Sequence, residues 1–92
     1  MESTLTRSMQ ALADPTRRQI LQMLSDGDLT AGEIAARFAI SAPSISHHLA
    51  VLKNAELVRA ERKGQTIVYS LNSTVVQELM QQLMELLGVG ER

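Results

Sequence analysis

Three observations predict a mainly α domain with a two-stranded β wing. Apolar residues recur at helical spacing through the first 54 residues and again near the end of the 92-residue chain. Between these regions the pattern changes to a period of two, from Val58 to Leu71, around the turn Lys63-Gly64-Gln65. Just before it, two short helical stretches are separated by only a few residues, Ala39-Ile40-Ser41. A tight helix pair followed at once by a hairpin is a winged helix-turn-helix, with four helices, the hairpin and a closing helix in that order.

The first helix is expected over Ser3 to Ala13, where Leu5, Met9 and Leu12 stand at i, i+4 and i+7. Asp14 caps the second helix and Pro15 takes its first position, where a missing N–H costs little. Ile20, Leu21 and Leu24 form its inner stripe, and Asp26-Gly27-Asp28 ends it. Arg17 precedes that stripe by three, four and seven residues, so it lies close to the core. It reads as a structural arginine, stem packed and head paired to a nearby carboxylate or carbonyl. The alternative for Arg17 or Arg18 is a phosphate clamp.

Thr30-Ala31-Gly32-Glu33 is a capping box, in which each side chain satisfies the other residue's free N–H. Ile34, Ala35 and Phe38 follow at helical spacing, giving a helix of about Ala31 to Ala39. The next helix opens at Ser41, an N-cap, with Pro43 in its first turn. Ile45, Leu49 and Leu52 turn inward. At about 100° per residue, Pro43, Ser44, His47, Ala50 and Asn54 lie opposite, with Ser46 and His48 on the flanks. Small hydroxyls and imidazoles suit a helix whose start is pushed into a groove lined with hydrogen-bonding edges, the major groove of DNA. On that reading the Ser41 end favours a phosphate. Ser44, Ser46 and His47 face base edges, and Pro43 faces a thymine methyl. His48 is left open among base, phosphate and structural roles, and Lys53 is a phosphate contact.

In the hairpin, Val58, Ala60 and Arg62 alternate with Arg59, Glu61 and Lys63, then Ile67, Tyr69 and Leu71 with Thr66, Val68 and Ser70. A basic tip carrying Arg62 and Lys63 beside a reading helix can reach a phosphate or an adjacent minor groove. The plainer alternative is a solvated charged loop. Asn72-Ser73-Thr74 caps a last helix over 74–87, and Gly88 stops it. Val76, Leu79, Met80, Leu83, Met84 and Leu87 make a broad apolar stripe there. With the first helix, it predicts a twofold homodimer interface at the chain ends. An adaptable methionine-bearing surface for another protein is the alternative.

Composition narrows the function. The formal net charge is only −1, but its distribution is uneven. From Ser41 to Thr66 four basic residues (Lys53, Arg59, Arg62, Lys63) face two acidic ones (Glu56, Glu61), a net +2. From Ile67 onward Glu78, Glu85 and Glu91 face only Arg92, a net −2. Phe38 and Tyr69 are the only aromatics, too few for a platform that stacks single-stranded bases. There is no cysteine, hence no disulfide and no thiolate metal site. His47 and His48 point about 100° apart and cannot chelate one ion together. Ser44 and His48 have i, i+4 spacing but no orienting acid or oxyanion pocket in view, so no enzyme is expected. No apolar run approaches the roughly 20 residues of a membrane span, and the first residues lack a signal-peptide core. The expectation is one cytoplasmic, nucleoid-associated domain over 1–92, without cofactor or metal.

Three motifs now carry a resemblance. Ala13-Asp14-Pro15-Thr16-Arg17-Arg18, Ser44-Ile45-Ser46-His47-His48-Leu49, and Arg62-Lys63-Gly64-Gln65 leading into Tyr69-Ser70-Leu71 resemble the ArsR family of bacterial winged-helix repressors. Within it they are most like the SdpR-type autorepressors. The resemblance covers nearly the whole chain, in order. It implies a dimer that binds a palindromic operator and blocks transcription, often of its own operon. It also implies that Ser46 and His47 lie on the reading helix and Arg62 to Gln65 on the wing. The family's familiar metal positions are missing. Ala31 to Ala39 has no cysteine, and the last helix has no His or Asp, only Glu78 and Glu85. An inducer, whether a protein or a small molecule, is unidentified. The competing expectations are a winged-helix module that binds a protein and a metal-responsive regulator with an unusual site.

Overall fold

The computed structural model describes residues 3–90; Met1, Glu2, Glu91 and Arg92, within the expected domain span and part of the charge tally, lie outside the described residues. The elements run α1 (Thr4–Leu12), α2 (Pro15–Ser25), β1 (Leu29–Thr30), α3 (Ala31–Ala35), α4 (Ala42–Asn54), β2 (Val58–Lys63), β3 (Thr66–Leu71) and α5 (Ser73–Leu87). The mainly helical winged fold is as the sequence predicts.

Side chains that accept from free backbone N–H groups mark the helix starts. Ser3 takes the Thr6 amide, Asp14 the Arg17 amide and Ser41 the Ser44 amide. The Thr30–Glu33 capping box is formed in both directions, at 3.1 Å and 2.8 Å. Hydrogen bonding to the Glu33 carboxyl, from the Thr30 amide first and the Thr30 hydroxyl second, holds it below its ordinary range.

Two details differ from the sequence expectation. The helix expected to run to Ala39 ends at Ala35, because the Arg37 and Phe38 amides bond only three residues back, to Ile34 and Ala35. This tightened last turn satisfies helix-end carbonyls and lets the chain swing into α4. The sheet also has a third strand. Its order is β1-β3-β2, antiparallel throughout, with Leu29 opposite Tyr69 and Thr30 opposite Val68. In the wing proper, Val58 pairs with Leu71 and Lys63 with Thr66. Gly64, at φ +66°, opens the two-residue tip, where a side chain would be strained.

Ala11, Ile20, Leu24, Ile34, Ile45, Leu49, Leu52, Leu57, Val58 and Leu79 form one contiguous core. α4 supplies three of these, Ile45, Leu49 and Leu52, each at most 2% exposed. Helix α4 is therefore clamped along its inner face. Its far end closes with the Glu56 amide bonded to Lys53 and the Leu57 amide to Leu52. That arrangement needs a left-handed residue, here Glu56 at φ 61° instead of a glycine.

Candidate nucleic-acid interface

The start of α4 stands clear of the protein body. Ser41, Pro43, Ser44, Ser46 and His47 are exposed, while the intervening Ile45 is buried. The Ser44 amide donates to Ser41 Oγ at 3.2 Å, and the Ser41 hydroxyl lies 2.9 Å from the Ser44 hydroxyl. Both serines are held near the free N–H groups of the first turn. This leaves a helix N-terminus with small polar groups facing outward, suited to a phosphate and to nearby base edges.

The wing tip is the second exposed cluster. Arg62, Lys63, Gly64, Gln65 and Thr66 are all open to solvent, on strands rooted in the core at Val58. Lys53 belongs to neither cluster. It sits in the last turn of α4, about 18 Å along the axis from Ser41 at 1.5 Å per residue. Its neighbours in a shallow groove are Glu56, Arg59 and Asn72.

His48, left open among base, phosphate and structural roles, is held by groups of its own chain. Its side chain is 16% exposed, and Nδ1 lies 3.2 Å from Arg17 Nη1 and 3.8 Å from Asp14 Oδ2. Arg17 also donates from Nε to the Ala11 carbonyl at 2.7 Å and from Nη2 to the Gln10 carbonyl at 3.0 Å. The structural reading of Arg17 describes this geometry; its head ties the end of α1 to α4. Arg18 likewise donates to the Leu12 carbonyl at 2.7 Å. The sequence analysis missed the pairing with His48, and the signal available was Arg17's place beside the buried stripe. Partial burial pushes the Asp14 carboxyl up. The Arg17 amide, the His48 imidazole, the Thr16 amide and the Arg17 guanidinium outweigh that and hold it below its ordinary value.

The apolar residues of the terminal helices divide in two. Leu79 is only 6% exposed and belongs to the core of its own chain. Leu5, Leu12, Val76 and Leu83 are half-buried against that core. Met9, Met80, Met84 and Leu87 remain exposed at 47%, 57%, 39% and 70%, joined by Leu86 and Val89, which the spacing argument left out. Among the described residues, no three His, Cys, Asp or Glu side chains are placed to hold a metal ion. No helix of the described chain is long and apolar enough to cross a membrane.

A helix pair clamped to the core, with its second start exposed beside a basic hairpin, defines a winged-helix DNA-binding protein. Residues 14–60, from the cap of α2 into β2, match the family described as bacterial regulatory protein, arsR family. The chain belongs to that family and is a DNA-binding transcriptional regulator. It is 53% identical over 81 residues to the transcriptional repressor SdpR of Bacillus subtilis, covering 88% of this chain and 90% of that one. Among solved structures it is similar to an ArsR-like transcriptional regulator from Rhodococcus sp. RHA1, with TM-score 0.82 and 29% identity, over 92% of this chain and 79% of the other. It is also similar to HlyU from Vibrio cholerae, with TM-score 0.75 and 36% identity, over 94% and 97%.

Proposed function

We propose that the chain is a single-domain repressor that acts in the cytoplasm as a homodimer on a palindromic operator, its own promoter included. The observation that carries this is the split on α4. Its inner residues are locked in the core, while Pro43, Ser44, Ser46 and His47 are free to enter a groove. The likeness to the repressor SdpR supports the direction of regulation. The exposed Met9, Met80, Met84 and Leu87 support a twofold contact between chain ends, because so much apolar side chain on the two terminal helices gains from being covered.

In this reading Ser44, Ser46 and His47 meet base edges, and Pro43 meets a thymine methyl. The Ser41 end of the helix takes a phosphate. Arg62, Lys63 and Gln65 lie along the neighbouring backbone or minor groove, and Lys53 adds a phosphate contact further along. Neither Ser nor His matches guanine bidentately as Arg does, so DNA shape supplies part of the selectivity.

The test is selection of bound duplexes from a random-sequence pool, followed by affinity measurements at several salt concentrations. The expected result is an inverted repeat whose half-sites lie about one helical turn apart, bound with steep salt dependence. Recovery of no sequence above background would refute the reading.

A further inference from the structure

We propose that Arg17 and His48 form a proton-sensitive joint: while His48 is neutral, the joint holds the reading helix against the α1–α2 corner, and protonation releases it and weakens operator binding. The inference rests on α4 being the DNA-contacting helix.

The geometry is asymmetric in a way that protonation must disturb. A guanidinium only donates hydrogen bonds. At 3.2 Å from Arg17 Nη1, His48 Nδ1 must therefore accept, which puts the ring proton on Nε2. Arg17 cannot turn away to suit the ring, because Nε and Nη2 are already committed to the Ala11 and Gln10 carbonyls at the end of α1. His48 is thus the α4 end of a three-way contact that starts on the helix carrying Met9.

A second proton on the imidazole removes the acceptor and sets two cations face to face. The ring then has one alternative partner, the Asp14 carboxylate, whose Oδ2 lies 3.8 Å from Nδ1. Asp14 is engaged by the Arg17 amide at 3.1 Å and is fixed as the cap of α2. Reaching it takes the ring off Arg17 and loosens the hold on the middle of α4, where His48 stands. The ionisable groups facing His48 are Asp14 and Arg17 on α2, together with its own neighbour His47, whose ring centre is 5.9 Å away. From α1 the cluster receives backbone carbonyls. Arg17 and His48 act here as positioning residues; neither has to touch DNA.

The experiment compares the unaltered chain with His48→Asn, whose amide oxygen takes the place of Nδ1 as an acceptor and does not titrate. The probe is a duplex enriched by the protein from a random pool at pH 8, and its Kd is measured from pH 8 to pH 5.5. His47 is present in both proteins, so its own contribution is common to the two Kd values. Relative to its value at pH 8, the ratio of unaltered to variant Kd should rise roughly tenfold in acid, one hydrogen bond being lost in each of two reading helices. A flat ratio, or one that falls because the Asp14 pairing tightens the helix, overturns the proposal. A second measurement needs neither the variant nor DNA. Ring nitrogen NMR shifts of the unaltered protein at pH 8 should show His48 protonated on Nε2 alone, and a proton on Nδ1 instead would equally overturn it. Failure to enrich any duplex would count against the repressor reading, whereas a proton on Nδ1 would overturn the joint whatever the DNA result.

Discussion

Ile45 and Ser46 are consecutive on α4 and belong to opposite worlds: Ile45 is 2% exposed, while Ser46 faces solvent. The 100° step of the helix puts one in the core and the other on the exposed face proposed to meet DNA. Ile45→Ala should cost about 2–5 kcal/mol, because it opens a cavity in a packed interior. Ser46→Ala should change stability by no more than about 0.5 kcal/mol and still impair discrimination among operators. Urea unfolding and competition binding separate the two effects.

His47 and Lys63 should fail in different ways. His47→Ala is expected to relax sequence selectivity at one position of each half-site. Lys63→Ala should weaken all duplexes alike and reduce the slope of log affinity against log salt by about 0.9 per subunit. Binding titrations over a salt series, on matched and scrambled duplexes, distinguish these outcomes.

Asp14 and Glu33 both have carboxyls held below their ordinary values of 3.8 and 4.5. The unfolded chain therefore binds their protons more readily than the folded one. Their contribution is complete above the ordinary values and is lost as pH falls through the depressed ones. Stability should decline with acid in that window. Asp14→Asn and Glu33→Gln should each flatten the decline, as followed by thermal unfolding between pH 5 and pH 2.

Glu56 holds a left-handed conformation without being glycine. Glu56→Gly should raise stability by about 0.5–1 kcal/mol, the relief of the left-handed strain exceeding glycine's extra unfolded-state entropy. Chemical denaturation gives the number.

The exposed apolar residues at the chain ends carry the assembly prediction. Met84→Asp or Leu87→Asp should leave the fold intact, shift the protein to monomers in sedimentation, and abolish tight operator binding. Leu79→Ala should instead destabilise each subunit, by about 2–5 kcal/mol, because its partners lie in its own chain.

Much of this was legible in the sequence because local chemistry agreed with the global fold. Asp14-Pro15, the Thr30–Glu33 box, Ser41 and the Gly64 tip each specify a boundary through their own backbone requirements. What escaped depended on contacts between distant segments. Two residues, Leu29 and Thr30, have no periodicity to detect, and only the edge of β3 makes them a strand. Leu79 and Met80 share an apolar stripe, and spacing cannot tell which is covered by the chain itself. His48 could be placed on a flank of its helix, but its partner lies 31 residues away. Glu56 gave no sign of a left-handed turn, since no glycine or asparagine marks it.

The short ladder from Leu29 and Thr30 to Tyr69 and Val68 also bears on how a duplex is gripped. It stitches the middle of β3 to the entry of α3, tying the hairpin to the helix pair. Within a subunit there is little play for matching an irregular helical pitch. In the proposed dimer, tolerance for altered distance between half-sites would then reside in how the two copies tilt on each other, and a longer or shorter spacer would be met at the exposed methionines of the chain ends.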